Sequence, residues 1–331
     1  MDVLVLSAAD VMHLLPMRDC IRVVREALAA LARGKAIVPL RTVMRLPDGS
    51  GFLGVMPGYL GSDEGREAAL GMKAVCVFPG NSARGIDTHQ GAVVLFDQET
   101  GQLAALMDGA TVTAIRTAAV SGVATDLLAR KDAGALAILG AGVQARTHLE
   151  AIGAVRNLTK VRVWSRDPGH VARFVKEARG TYRGRIDAAG TAEEAVRGAD
   201  IVVTVTASPQ PIISRAWIKD DAHINAVGAS IPTAREIDSE TMTAARLFVD
   251  RRESALNEAG DVLIPMREGA FGPDHIEAEL GEVIIGKHAG RRSSGELTLF
   301  KSLGIAVEDV ATAAYIVARA KETGVGQKVT M

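Results

Sequence analysis

The run Ala135-Leu136-Ala137-Ile138-Leu139-Gly140-Ala141-Gly142-Val143-Gln144-Ala145 constrains this chain more than any other stretch. Its apolar start predicts a buried parallel strand, and Gly-x-Gly-x-x-Ala then opens a helix that continues through Glu150. Glycine at 140 and 142 permits a sharp turn and lets the backbone approach a pyrophosphate without Cβ interference. Small Ala145 lets helix and strand pack closely. The helix N-terminus offers N–H groups to the anion, so Gly140, Gly142 and Val143 are expected cofactor contacts. A glycine motif alone is weak evidence. This one gains weight from a second strand expected at Val161-Arg162-Val163-Trp164, which ends about twenty residues past Ala145, where a dinucleotide fingerprint requires it.

The residues that end this second strand choose between dinucleotides. An acidic residue there accepts hydrogen bonds from both ribose hydroxyls and favours NAD. Here Ser165 and Arg166 offer a hydroxyl and a guanidinium suited to a 2′-phosphate. Asp167 could bind the ribose instead, but it precedes Pro168 and can equally cap the next helix. The local chemistry favours NADPH, with NADH possible.

A chain of 331 residues has room for two domains, each with its own core. A net charge of −1 provides no basic field for nucleic acid, and aromatic residues, at 4%, are too few for a base-stacking surface. Two cysteines, Cys20 and Cys76, suit a reducing, cytoplasmic setting and exclude a cysteine-based zinc site. The scattered histidines form no metal-ligating pair, so no metal is expected. No eighteen-residue apolar run is present, and the N-terminus lacks a basic-then-apolar leader, so no membrane association is expected.

Residues 7–33 alternate with helical period from Ser7-Ala8-Ala9-Asp10, which resembles a capping box. Short apolar runs at 38–46, 52–56, 71–78 and 92–96 then predict strands. Residues 93–107 read as a hairpin around Asp97-Gln98-Glu99-Thr100-Gly101. This region reads as α+β with a mostly antiparallel sheet. Thr111 to Arg130 is a long helix of small residues. Beyond it, strands and helices alternate at 135–139, 144–154, 161–164, 168–179, 191–198, 201–206, 223–227, 238–244 and 247–250. Thr191-Ala192-Glu193-Glu194 reads as a second capping box. Such alternation predicts an α/β fold with a Rossmann doubly wound parallel sheet. A final helix at 306–321 returns to the first domain. The expected division is therefore 1–125 with 303–331, and 126–302.

Three cations do not suit their surroundings. Arg116 is the one charge among the seventeen residues Gly109 to Thr125 and is costly to bury without a partner. A ligand anion held by its bidentate fork would explain it, and so would an internal salt bridge. The ligand is preferred because the helix adjoins the cofactor domain. Lys73 lies in Gly71-Met72-Lys73-Ala74-Val75-Cys76-Val77-Phe78. Desolvation there would lower its pKa and fit it to bind a carboxylate or donate a proton; alternatively it ends its strand and snorkels to water. Arg41, taken alone, reads as a solvated strand residue. His148 and His223 read as structural, and Asn81 as a turn residue bonding nearby backbone.

Taken together, several motifs resemble the ornithine cyclodeaminase/mu-crystallin family over essentially the whole chain. They are Arg41-Thr42-Val43, Leu53-Gly54-Val55-Met56-Pro57, Met107-Asp108-Gly109, Arg116 to Ser121, Ile138 to Ala145, His223 to Ser230, Gly260-Asp261-Val262-Leu263, Phe300 to Gly304 and Val307-Glu308-Asp309. The mu-crystallin branch is the nearer likeness. The resemblance implies a homodimer built through the first domain, with the substrate between that domain and the cofactor. It implies that Arg41, Lys73 and Arg116 grip the substrate carboxylate, Lys73 and Arg116 also acting in catalysis. Thr88, Gln144, Thr206, Val227, Gly228, Ala229 and Ser302 become expected cofactor contacts, and Glu258 a residue facing the substrate or a plain helix-surface carboxylate.

One departure matters. Cyclodeaminases of the family carry an aspartate just after the Asn-Ala-Val-Gly turn, where this chain has Ser230, as ketimine reductases of the family do. A hydroxyl is too weak an acid or base to replace that carboxylate at neutral pH. The expected activity is NADPH-dependent reduction of a cyclic ketimine carboxylate, pyrroline-2-carboxylate or piperideine-2-carboxylate, with Ser230 beside the substrate. The alternatives are ornithine or lysine cyclodeamination with recycled NAD, alanine dehydrogenation, and non-catalytic binding of NADPH or a small ligand. Loops near 58–66, 80–90 and 265–275, expected to form the outer pocket wall, carry no interpretable signature.

Overall fold

A computed structural model describes residues 2–63, 67–180 and 182–331. Of the loop 58–66, residues 64–66 lie outside the described residues. The chain divides into two compact units, Met1–Arg116 with Gly304–Met331, and Thr117–Leu303. The first division falls after Arg116 rather than after residue 125, both inside the helix Gly109–Leu128, whose small apolar residues give no compositional sign of a boundary.

In the first unit the described strands form an eight-stranded sheet. Its order is Gln327–Thr330, Asp2–Leu6, Leu103–Asp108, His89–Phe96, Ala69–Val77, Phe52–Leu60 and Ala36–Ile37, with Thr42–Arg45 also paired to Phe52–Leu60. Only Asp2–Leu6 with Leu103–Asp108 is parallel; the other pairs are antiparallel. The expected strand 38–46 shrinks to Thr42–Arg45, with a further short strand Ala36–Ile37 ahead of Pro39, which has no N–H for a ladder. Phe52–Leu60 runs on through Pro57, which sits between the residues paired to the two short strands, where a missing donor costs no bond to either. The end strands Asp2–Leu6 and Gln327–Thr330 were not foreseen.

Ser7 accepts from the Asp10 N–H while Asp10 accepts from the Ser7 N–H, so the expected capping box starts the helix Ala8–Leu14. Pro16 separates it from Met17–Ala32, whose buried face carries Cys20, Val24, Ala27 and Leu28. The helix Ala306–Thr323 packs on that helix and across Phe52–Leu60 and Ala69–Val77. Asp97 closes the hairpin by accepting from the Glu99 and Thr100 N–H groups.

The second unit holds an eight-stranded, fully parallel sheet. Its order is Arg185–Ala188, Lys160–Trp164, Ala135–Leu139, Ile201–Thr204, His223–Ala226, Thr298–Lys301, Arg246–Val249 and Ile276–Glu279. This is the expected doubly wound α/β fold. Every residue of Ile201–Thr204, His223–Ala226 and Thr298–Lys301 is buried, as in a sheet covered on both faces. Connections leave Ala135–Leu139 in opposite directions, so the strand order reverses between it and Ile201–Thr204, the position where such sheets bind ligands. Arg185–Ala188, Ile276–Glu279 and Thr298–Lys301 were missed. Thr191 caps its helix as expected, but Glu194 turns to the Gly190 N–H instead of Thr191, so the second capping box is only half formed.

Candidate active site

In the second unit the chain turns out of Ala135–Leu139 at Gly140, whose φ of +120° lies where side chains are rarely tolerated. A Cβ there would stand 2.7 Å from the Val205 carbonyl oxygen. Gly142 is different: its φ is −90° and a Cβ would meet nothing within 4 Å, so protein packing does not demand glycine. Gly142 caps Val143–Val155 without any side-chain hydrogen bond, leaving that helix N-terminus for an anion. Ala145 is fully buried against the strand. The buried Gln144 Oε1 has no hydrogen-bond partner among the described residues.

A cleft of about 620 Å³ opens over these strand ends. Gly140, Gly142, Ser165, Arg166 and Thr206 line it, as expected, together with Trp164, His170 and Ser208, which sequence reasoning missed. Asp167 accepts from the Gly169 N–H at 2.8 Å and caps Pro168–Ala178, while also lining the cleft. Val227 and Gly228 donate to the Thr204 carbonyl, Ala229 is buried and Ser230 is half-buried in the same turn. Ser302, buried at the end of Thr298–Lys301, has a hydroxyl with no partner among the described residues. A strained glycine turn, an uncapped helix and orphaned polar atoms at the strand ends fit a dinucleotide.

Three buried charges support this face and were not foreseen. Glu236 accepts from the Thr206 N–H and hydroxyl through one carboxylate oxygen, and from the Thr204 hydroxyl and Gly228 N–H through the other. Burial, and the nearby Asp261, push its pKa up. Asp261 accepts from the Glu236 and Ile237 N–H groups and pairs with Lys301 at 2.9 Å. Lys301, a cation inside an apolar strand, was the available signal. Glu258 is half-buried at the end of the helix Arg252–Glu258.

The cations of the first unit form a second cluster. Lys73 is 2% exposed in mid-strand, which removes the strand-end alternative; burial foremost, then Arg116, lowers its pKa to about 8. Its ammonium meets Asp309 at 2.9 Å. Arg116, 3% exposed, donates from Nε to Asp309 at 2.9 Å and from Nη1 to Glu308 at 2.8 Å. The preference for a ligand as its counter-anion is therefore corrected: the protein supplies both carboxylates, from the first turn of Ala306–Thr323. Arg41 is half-buried and donates to the Gly304 carbonyl at 3.0 Å, which overturns the solvated reading. At Gly304, with φ +73°, a Cβ would collide with the Arg116 guanidinium, so backbone hugs the cation there. Lys73 and Arg116 share the carboxylates of Glu308 and Asp309, and Arg41 reaches the same turn through the Gly304 carbonyl.

Thr88 lies in this unit, its hydroxyl 3.0 Å from His89 Nδ1, and Asn81 bonds the Asp87 carbonyl as expected of a turn residue. Among the described residues no group of three or more His, Cys, Asp or Glu could hold a metal ion, and no helix is long and apolar enough to cross a membrane.

The ornithine cyclodeaminase/mu-crystallin family description matches residues 1–324. The mouse (Mus musculus) ketimine reductase mu-crystallin is 43% identical over 93% of this chain and 94% of its own. The structure of Thermococcus litoralis Δ1-pyrroline-2-carboxylate reductase in complex with NADH and L-proline superposes with a TM-score of 0.96. It is 42% identical and covers 99% of this chain and 100% of the other. An archaeal alanine dehydrogenase dimer with bound NAD gives 0.92 at 33% identity, with full coverage of both chains. The class is thus an NAD(P)-dependent oxidoreductase acting on carbon–nitrogen bonds. The chain belongs to the ornithine cyclodeaminase/mu-crystallin family.

Proposed function

We propose that this enzyme reduces cyclic ketimine carboxylates, pyrroline-2-carboxylate or piperideine-2-carboxylate, to cyclic amino acids with NADPH. The observation that carries this is the convergence of Arg41, Lys73 and Arg116 about Gly304 and Asp309, a set of cations suited to a carboxylate. Glu308 and Asp309 fix the two buried cations in place, so the anion meets groups that are already oriented. When bound, the reduced nicotinamide supplies hydride. Lys73, with its lowered pKa, can hold or return a proton near neutrality, the service an iminium reduction needs. Ser230 in place of a carboxylate removes the base that imine hydrolysis and ring closure would use. Relatives that are a ketimine reductase and a pyrroline-2-carboxylate reductase support that reading.

NADPH is the favoured cofactor because Ser165 and Arg166 bring a hydroxyl and a guanidinium to the cleft, beside Asp167, which caps the next helix through one oxygen. Ser230 and Glu258 are assigned to the substrate and Val143, Gln144 and Ser302 to the cofactor. A homodimer in the cytoplasm completes the reading, supported by the archaeal dimer and by two free cysteines. The test is oxidation of NADPH and of NADH with each imine. Turnover with at least one imine and a lower KM for NADPH are expected. Ammonia release from ornithine without added reductant, or NADPH loss that requires pyruvate and ammonia, would instead establish cyclodeamination or alanine dehydrogenation.

A further inference from the structure

Glu236 has no exposed surface, yet it joins two loops that the cofactor cleft depends on. One of its oxygens holds the Thr206 N–H at 2.7 Å and the Thr206 hydroxyl at 2.6 Å. The other holds the Thr204 hydroxyl and the Gly228 N–H, both at 2.7 Å. Four donors converge on one carboxylate, and they come from the ends of two neighbouring strands, Ile201–Thr204 and His223–Ala226. The loops are pressed together there: a Cβ on Gly228 would stand 2.1 Å from the Thr206 carbonyl oxygen and 2.6 Å from Glu236 Cδ. Behind Glu236, Asp261 accepts from the backbone N–H groups of residues 236 and 237, and Lys301 pairs with Asp261 at 2.9 Å.

The side of the sheet on which this brace sits decides what it acts on. The glycine turn at 140–142 takes the pyrophosphate, and Ser165 and Arg166, on the strand to one side, take the adenosine ribose. A dinucleotide straddling the switch point must lay its nicotinamide half on the other side, over the ends of Ile201–Thr204 and His223–Ala226. These are the two ends that Glu236 ties together.

We infer that Glu236 is the positioning residue of the nicotinamide half-site, acting through Thr206 and Gly228 and held from behind by Asp261 and Lys301. This rests on the cleft binding a nicotinamide dinucleotide; it does not depend on which imine is reduced. Buried carboxylate is needed because only an acceptor at both oxygens can hold two N–H groups and two hydroxyls at once; an amide in its place offers one acceptor.

The experiment compares two ligands, NADPH and its fragment 2′-phospho-ADP-ribose, which lacks the nicotinamide. Affinities are measured by calorimetry on wild type, Glu236→Gln and Thr204→Val. Wild-type binding of NADPH tests the dinucleotide reading, and its absence would remove both that reading and this one. For Glu236→Gln we expect NADPH affinity to fall tenfold or more while fragment affinity stays within twofold. Thr204→Val removes one donor that does not line the cleft and keeps the carboxylate. It should show the same selectivity at two- to fivefold, and it carries the test if the glutamine variant fails to fold. Equal losses for both ligands would make Glu236 a general fold residue, and no loss for NADPH would make the brace irrelevant; either result overturns the proposal.

Discussion

Lys73 is surrounded by protein, shares Asp309 with Arg116, and feels two further cations, Arg116 and Arg41. Desolvation and like charge both favour the neutral amine, which brings its pKa down from 10.5 to about 8. The sign follows directly. Below about 8 the ammonium is present; above it the amine is neutral and the cluster has lost one positive charge. The affinity for a cyclic carboxylate with no titrating nitrogen should therefore be flat below pH 8 and fall about tenfold per unit above it. Lys73→Met should bind more weakly with no such descent. A wild-type affinity that stays constant to pH 9.5 would remove Lys73 from the anion site. Arg116 needs a different treatment, because its truncation would take the guanidinium from buried Glu308 and leave buried Asp309 to Lys73. Breaking a buried pair that way costs about 3–5 kcal/mol, so lost activity there would report folding as much as binding.

At the scale of elements, the strand–turn–helix from Ala135 to Val155 separates what the fold needs from what a ligand needs. Gly140 is demanded by the protein, through its positive φ and the Val205 carbonyl. Gly142 is demanded by nothing in the protein: its φ suits any residue and its Cβ direction is open. Gly142→Ala should leave the melting temperature within about 2 °C while weakening NADPH binding at least tenfold. Gly140→Ala should lower both. A Gly142→Ala enzyme that binds NADPH normally would show that no phosphate approaches this turn. The same element was the most legible part of the sequence, because its glycines, apolar run and spacing each reflect one local constraint. What stayed hidden was non-local. Glu308 and Asp309 read as acids starting a helix, and nothing local links them to cations 192 or more residues away. Glu236, Asp261 and Lys301 are likewise scattered, and only Lys301, the one cation of the strand Thr298–Lys301, gave a local sign.

Over the whole molecule, the chain passes between its units at Arg116/Thr117 and again at Leu303/Gly304. Both passages adjoin the cation cluster, since Arg116 ends one segment and Gly304, which packs on its guanidinium, begins the other. The second unit buries two imidazoles, His148 against Ser121 and the Gln144 carbonyl, and His223 against Thr298. Burial lowers their pKa values from 6.5 to about 4 and about 3. Between pH 6.5 and those values the unfolded chain takes up protons that the native state refuses. The stability that neutral imidazoles confer is complete above 6.5 and is lost as pH falls toward 4, by up to about 1.4 kcal/mol per pH unit for each. Thermal midpoints measured from pH 7.5 to 4.5 should decline more steeply for wild type than for a His148→Gln/His223→Gln double variant. Gln keeps a hydrogen-bonding amide at each site and cannot titrate there. Parallel curves would mean that both imidazoles already find a proton acceptor in the native state and do not govern acid lability.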